Sequence, residues 1–377
     1  MRRLLLGILL LVPLLSGCWD QYAIERLGFA TIVGVDGSPG RIHAIVGTVV
    51  PENLTSITSS GQASRASTNF AGDGRTLYDA VRAADEHAPR RLYFGQIQDV
   101  IVSEELAAAG GLPDVLDYFG RENKSRTIAW VYVAKSQDLP TLMQLKPVNA
   151  AYPAEALDNL SLTERIQSDV APRRIFEVGN LLTATGEEVS IPRITALGQN
   201  FALDGMDLFT GTRLVGHIGG GASRGIALIS GHAVAPALDA KCPSGGEVSI
   251  DLQATHPSLG ANVVQGDVRS LWLSLKATGH ITQMSSCPGN LAGPLFRKQI
   301  YDSAASRLEQ LLATTIHELQ VNKSDAVGFG EQIREHQPAA WSRVATHWSD
   351  GVFPHLGVTI HVQIAASNSG LLDRGIK

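Results

Sequence analysis

The chain has 377 residues, 44% of them apolar and 18% charged, with 31 basic against 36 acidic side chains and three cysteines. This composition excludes a disordered chain, which would carry fewer apolar residues and more net charge, and a disulfide-framed miniprotein, which would be richer in cysteine. The formal charge of -5, with no Lys/Arg cluster to offset it, also excludes a nucleic-acid partner, and the length calls for two or three domains rather than one core.

Arg2 and Arg3 form a positive n-region, and residues 4–15 are an apolar run of signal-peptide length, too short to span a bilayer. The run ends in Leu15-Ser16-Gly17-Cys18, small residues before a cysteine, the pattern of a bacterial lipoprotein signal. Residues 1–17 are therefore expected to be removed after Gly17. Cys18 would become the N-terminus and carry a diacylglyceryl and palmitoyl anchor. Acyl chains contribute about 0.8 kcal/mol per buried methylene, so two or more hold a protein firmly where one does so marginally. The alternative is a plain signal peptide or an uncleaved anchor that happens to have a cysteine there. Cleavage removes two arginines, so attachment is expected to be hydrophobic and not through a polybasic patch. No later stretch reaches about 18 apolar residues, so everything after Cys18 should lie on the extracytoplasmic side of the membrane. Trp19 is suited to headgroup depth, with residues 19–24 as a short tether.

Residues 27–35 and 42–50 are rich in Val, Ile and Thr and flank Asp36-Gly37-Ser38-Pro39-Gly40, a hairpin signal. Residues 53–69, dominated by Ser and Thr, are expected to be a loop. From Thr76 the period changes: Leu77, Ala80, Val81, Ala84 and His87 share a helical face, bounded by Gly72 and Gly74 before it and Pro89 after it. Residues 92–102 read as a strand, 112–119 as a short helix with Leu112, Val115, Leu116 and Phe119 inward, and 127–134 as another strand. A helix led by Pro172 follows, with Ile175, Val178, Leu181 and Leu182 inward, and the first block closes near Leu197.

The second block opens with strand-like segments at 193–202, 206–217, 225–231, 248–254 and 268–281, spaced like an antiparallel meander. The clearest helix in the sequence spans residues 297–321, with Ile300, Ala304, Leu308, Leu311, Leu312, Thr315, Ile316 and Leu319 on one stripe. It is roughly 33 Å long, enough to cover one face of a sheet. Over residues 355–365, Leu356, Val358, Ile360, Val362 and Ile364 alternate with polar residues, the period of a half-exposed strand. The expected fold is a multi-domain α+β (mixed α/β) protein: signal peptide 1–17, an N-terminal α/β module of one or two lobes over 18–198, and a C-terminal domain over 199–370 in which an antiparallel sheet packs with the long helix.

Several motifs suggest chemistry. Gly221-Ala222-Ser223-Arg224-Gly225 matches the Gly-x-Ser-x-Gly nucleophile elbow, with His217 and the glycines at 219–221 placed like an oxyanion loop. An elbow needs a helix directly after its serine, whereas residues 226–229 read as a strand, so a glycine-rich turn between strands is preferred. The histidines are scattered, and His317-Glu318 lacks a second histidine at i+4, so no metal site is expected; His355 and His361 fall on the polar face of the last strand. Glu104-Glu105 and Glu187-Glu188 read as solvated surface, and no phosphate-cradling loop exists. Trp341 and Trp348, two helical turns apart, are expected to pack a final helix onto the C-terminal sheet rather than to mark a partner-binding face. Cys242 and Cys287 both precede proline in Gly/Ser-rich turns. Bridged, they would close a loop of about 46 residues worth roughly 4 kcal/mol; otherwise they are two free thiols, and spacing does not decide.

Three segments resemble the Ger(x)C family of spore germination lipoproteins, the C subunits of nutrient germinant receptors. The first is Gly17-Cys18-Trp19-Asp20 continuing through Ile24-Glu25-Arg26-Leu27-Gly28 to Gly34-Val35-Asp36. The second is Gly72-Asp73-Gly74-Arg75-Thr76-Leu77, then Ala80-Val81-Arg82 and Arg90-Arg91-Leu92-Tyr93-Phe94-Gly95. The third is Asp325-Ala326-Val327-Gly328-Phe329-Gly330, then Pro338, Trp341, Trp348, Phe353-Pro354 and the alternating last strand. Gln96 departs from the histidine of the family pattern, a position with no catalytic role attached. The resemblance implies a lipid-anchored, three-domain, mixed α/β protein on the outer face of the spore inner membrane. It further implies a complex with A-type and B-type multi-pass subunits that answers amino acids, sugars or nucleosides, and no enzyme activity or cofactor of its own. Two other readings stand beside it: a solute-binding lipoprotein that captures the nutrient itself, and an envelope hydrolase using Ser223.

Overall fold

The computed structural model describes residues 24–49, 67–122, 127–234, 236–291 and 293–367. Gly17 and Cys18 lie outside the described residues, as does most of the Ser/Thr-rich stretch. The chain builds two sheets. In chain order the first contains β1 (Leu27–Ser38), β2 (Arg41–Val49), β3 (Ser67–Gly74), β4 (Arg91–Tyr93), β5 (Asp99–Ser103), β6 (Trp130–Ala134), β7 (Arg173–Arg174), β8 (Ser190–Leu197), β9 (Asn200–Thr210) and β10 (Arg213–Ile218). Their order across the sheet is β10-β9-β8-β6-β5-β1-β2-β3, with β4 attached to β1 and β7 to β6. Helices α1 (Leu77–Glu86), α2 (Glu104–Ala108), α3 (Leu112–Arg121), α4 (Leu139–Leu142), α5 (Pro153–Gln167) and α6 (Ile175–Thr183) connect these strands.

The central strands are apolar throughout because both faces are covered. Val100, Val102, Val131 and Val133 join a core with α1, α3 and α6, while the intervening Ile101, Trp130 and Tyr132 join a second core with α4 and α5. Thr76 caps α1 by accepting the Asp79 N–H at 3.1 Å. Gly72 is part of the same junction: a Cβ there would stand 2.4 Å from the Ala80 carbonyl and the Ala84 nitrogen, so α1 lies directly on β3.

Several expectations need correction. Residues 67–69, assigned to the loop, begin β3, which pairs antiparallel with β2. The strand expected over 92–102 is two strands, because β4 and β5 each pair parallel with β1 at separate positions (Leu27 with Arg91, Ile32 with Asp99) and the chain leaves the sheet between them. Helix α5 was missed because its apolar stripe is blurred: Ala154 and Leu157 are buried, but Leu162 and Ile166 face solvent. The first sheet continues past Leu197, since β9 pairs with β8 and β10 with β9.

The second block opens with a helix, α7 (Gly220–Ile229), where a strand was expected. A short apolar run has no period of its own, and here tertiary contact decides: Gly225 lies so close to Thr315 that a Cβ would overlap the threonine side chain. Then come β11 (Ala237–Lys241), β12 (Glu247–Val264), β13 (Asp267–Ser285), α8 (Pro294–Val321), α9 (Phe329–His336), α10 (Pro338–Val344) and β14 (Val358–Ala366). Val248, Ile250, Leu252, Leu271, Leu273 and Leu275 face Ile300, Ala304, Leu308, Leu312 and Ile316 of α8. The first three strands are antiparallel; β14 joins parallel to β13, because three helices carry the chain back to the end where β13 began. Cys242 and Cys287 are bonded to each other, with Cα atoms 5.7 Å apart, and both are buried in this core.

Two outcomes follow. Gly72→Ala should destabilise the chain by about 2 kcal/mol, because the atoms it strikes are backbone and cannot rotate away; an unchanged denaturant midpoint would contradict this packing. Alkylation of the denatured protein should label Cys242 and Cys287 only after reduction, and labelling without reductant would refute the bond.

Candidate functional site

The residues of the third sequence segment assemble at the joint between the two blocks. Asp325 is fully buried just before α9. Its Oδ1 accepts the N–H groups of Gly328 and Phe329, each at 3.1 Å, and its Oδ2 accepts the Gly330 N–H at 2.7 Å and the Trp348 indole N–H at 2.8 Å. One carboxylate thus satisfies the orphan donors at the start of α9, where negative charge is favoured. Gly328 holds φ +83, a left-handed conformation that costs glycine least, and so turns the chain into the helix. Burial raises Asp325 to about 6, with the four donors pulling the other way.

The same loop is fastened to the first block. Asp325 accepts the Glu188 N–H through its main-chain carbonyl at 2.9 Å, and the Glu331 N–H donates to the Gly186 carbonyl at 2.8 Å. Glu188 accepts from Gly211 N (2.8 Å) and from the Ser349 hydroxyl (2.7 Å), and Ser324 donates to the Phe209 carbonyl at 2.6 Å. Glu188 is therefore a partly buried tie, not solvated surface, and Glu187 beside it is partly buried as well. Glu187 stands over Gly328; burial raises it to about 7 despite the Arg173 charge, and Asp325 and Glu331 push the same way.

A second polar network lies on β8, β9 and β10. The buried Arg193 donates from Nε to both oxygens of Asp207 at 3.0 Å and from Nη2 to Glu104 at 2.9 Å, while His217 Nδ1 lies 2.9 Å from Asp207 Oδ1. Burial opposes the Arg193 charge, but Asp207 and Glu104 outweigh it and raise its pKa. Glu104 is thus an ion-pair partner, and Glu105 accepts from the Ser136 hydroxyl and N–H. This network was not foreseen, although one signal existed: a hairpin turning at Gly211-Thr212 places His217 opposite Asp207.

The other singled-out residues are dispersed. Ser223 does precede a helical stretch, contrary to the strand expected there, but it lies inside the first turns of α7 and is 2% exposed. Its hydroxyl is within 2.8 Å of the Asp169 carbonyl and 2.7 Å of the Gly220 carbonyl, an arrangement that holds the oxygen against the backbone instead of presenting it to a substrate. Among the described residues, no group of three or more His, Cys, Asp or Glu is placed to hold a metal ion. His361 is exposed, and His355 lies in the turn before β14. Trp341 and Trp348 do not share one helix: Trp341 is on α10, which lies against β13 with Arg343 paired to Asp267, and Trp348 opens a later turn, their rings 5.7 Å apart and edge to face, with Trp348 also against Phe353.

Together these features define a two-block α+β protein in which the buried Ser324 and Asp325 tie the blocks to each other. Known proteins give that class a family. The spore germination protein N-terminal domain matches residues 20–196, and the spore germination B3/GerAC-like C-terminal domain matches residues 204–370. The chain belongs to this Ger(x)C family of spore germination proteins. Among curated relatives, spore germination protein KC of Bacillus subtilis (strain 168) is 22% identical over all of this chain and 98% of its own length. Spore germination protein B3 of the same organism is 21% identical over 96% of each. The crystal structure of the GerBC protein superposes with a TM-score of 0.54 at 14% identity, over 92% of this chain and 100% of that one, which shows a shared fold.

Replacing Asp325 by Ala should cost about 3 kcal/mol or more, since it strands buried donors, and Asp325→Asn should cost less; equal and small losses in a denaturant series would contradict the tie. Asp325 and Glu187 bind protons more tightly folded than unfolded. Their stabilisation is therefore complete below about pH 4 and is lost as pH rises through about 6 and about 7 respectively. Glu187→Gln should flatten the decline of stability between about pH 5 and 8; an unaltered slope would rule out Glu187 as its source.

Proposed function

We propose that the chain serves spore germination as a lipid-anchored, non-enzymatic subunit of a nutrient germinant receptor, on the outer face of the spore inner membrane beside A-type and B-type multi-pass subunits. The observation that carries this reading is the end-to-end family match, which spans both blocks and begins two residues after Cys18. The Leu15-Ser16-Gly17-Cys18 signal supports the anchor. Among the described residues no helix is long and apolar enough to cross a membrane, so the proposed attachment relies on lipid. Residues 19–23, between the acylated cysteine and Ile24, extend to at most about 18 Å and would keep the first sheet near the bilayer. The division into an 18–198 module and a 199–370 domain belongs to the same proposal, with β9 and β10 as the strands of the second segment that complete the first sheet. The non-enzymatic role is supported by the engagement of Ser223 with backbone carbonyls and by the use of Asp325 as a structural acceptor.

Deleting the gene should abolish dipicolinate release to at least one nutrient while leaving nutrient-independent triggers effective; unchanged germination to every nutrient would overturn the receptor role. Cys18→Ala should leave the precursor unprocessed or release it from membranes, and normal maturation with normal retention would overturn the anchor.

A further inference from the structure

Ile24 is 65% exposed and stands at the rim of a cavity of about 630 Å³ in the first block. The cavity floor is apolar: Leu27, Phe29, Leu92 and Phe94 line it, and Phe29 packs edge to face on Tyr93 at 5.8 Å. The rim carries Tyr78, 54% exposed, and the exposed Arg82, Arg91 and Gln96. Arg82 lies over the Tyr78 ring, 5.9 Å from its centroid. Two acids line the wall as well. Asp85 is turned inward to accept the Leu92 N–H at 2.7 Å, and Glu122, just past α3, lies where this cavity meets a second one of about 530 Å³.

Sheet pairing brings these residues together. The parallel register of β1 with β4 sets Leu27 beside Arg91 and Phe29 beside Tyr93, and α1 adds Tyr78, Val81 and Arg82 to the same wall. The first two segments that carry the family resemblance thus converge on one face. Packing accounts for Val81 and Leu92, which are buried, but not for an exposed isoleucine, tyrosine and pair of arginines around an apolar hollow. Tether length and chemistry together indicate what covers it. Residues 19–23 reach at most about 18 Å, so the face at Ile24 stays close to whatever surface holds Cys18. An apolar hollow edged by phenol and guanidinium groups complements a phospholipid surface: tyrosine settles at headgroup depth, arginine pairs with phosphate, and its apolar stem reaches the acyl boundary.

We propose that this face docks on the headgroup layer of the bilayer, with Arg82 and Arg91 against lipid phosphates and Ile24 and Tyr78 entering the acyl boundary. The acyl chains on Cys18 still supply the attachment; the face fixes how the first block is oriented on the membrane. The inference rests on the lipid-anchor reading. The full lipidated chain in phosphatidylcholine vesicles with about 30% phosphatidylglycerol tests it. Cys242 and Cys287 are bonded to each other and Cys18 is acylated on this reading, so Gln96→Cys, or Val264→Cys on the second sheet as a control, takes a thiol-reactive fluorophore alone. A nitroxide on the lipid headgroup should quench the label at position 96 at least about threefold more than the label at position 264. Arg82→Glu combined with Tyr78→Ser, both at exposed positions, should remove that excess while the chain still floats with the vesicles. Equal quenching of the two labels in a chain that floats, or an excess that survives the double variant, would overturn the docking and leave the anchor standing. A chain that does not float with the vesicles would overturn both.

Discussion

The structure depends on how the buried carboxylate of Asp325 is satisfied. Three backbone N–H groups and one indole converge on it, and each comes from a segment that must be in place first: the left-handed turn at Gly328, the start of α9, and the tryptophan after α10. A carboxylate with that many donors is held without a cationic partner, yet burial still lifts its pKa, so desolvation is the larger effect. Its neighbours then reach across to residues 186–188 and 209–211, so the loop that starts α9 also closes the boundary between the blocks.

The other buried charges follow a common rule with different outcomes. Arg193 is enclosed by Asp207 and Glu104, and the pairing fixes the register of β8, β9 and β10 against α2. Breaking such a pair is costly because it leaves a charge uncompensated, even where the intact pair contributes little net stability. Arg173 has the same burial and only a histidine for company.

What the sequence revealed depends on how local each interaction is. Strands buried on both faces are legible as Val/Ile runs, and α8 is legible because Ile300, Ala304, Leu308, Leu312 and Ile316 keep one stripe over a 28-residue helix. Helix α5 hid behind exposed Leu162 and Ile166, and α7 behind a four-residue apolar run whose helix packs with Gly225 directly against Thr315. The joint was legible as a pattern of residue types in the Asp325 segment but not as a mechanism, because its partners are remote: Ser349 and Glu188 are 161 residues apart, and Ser324 and Phe209 are 115 apart. Such pairings leave no periodicity. Glu187-Glu188 looked like solvated surface for the same reason.

The ties at the Asp325 joint would make the two blocks move as one body. Amide hydrogen exchange at Gly328, Phe329 and Gly330 tests this most directly. If their N–H groups are locked into Asp325, they should exchange as slowly as the amides of β12 and β13 and be released only with global unfolding. Exchange at loop-like rates while both sheets stay protected would contradict the account.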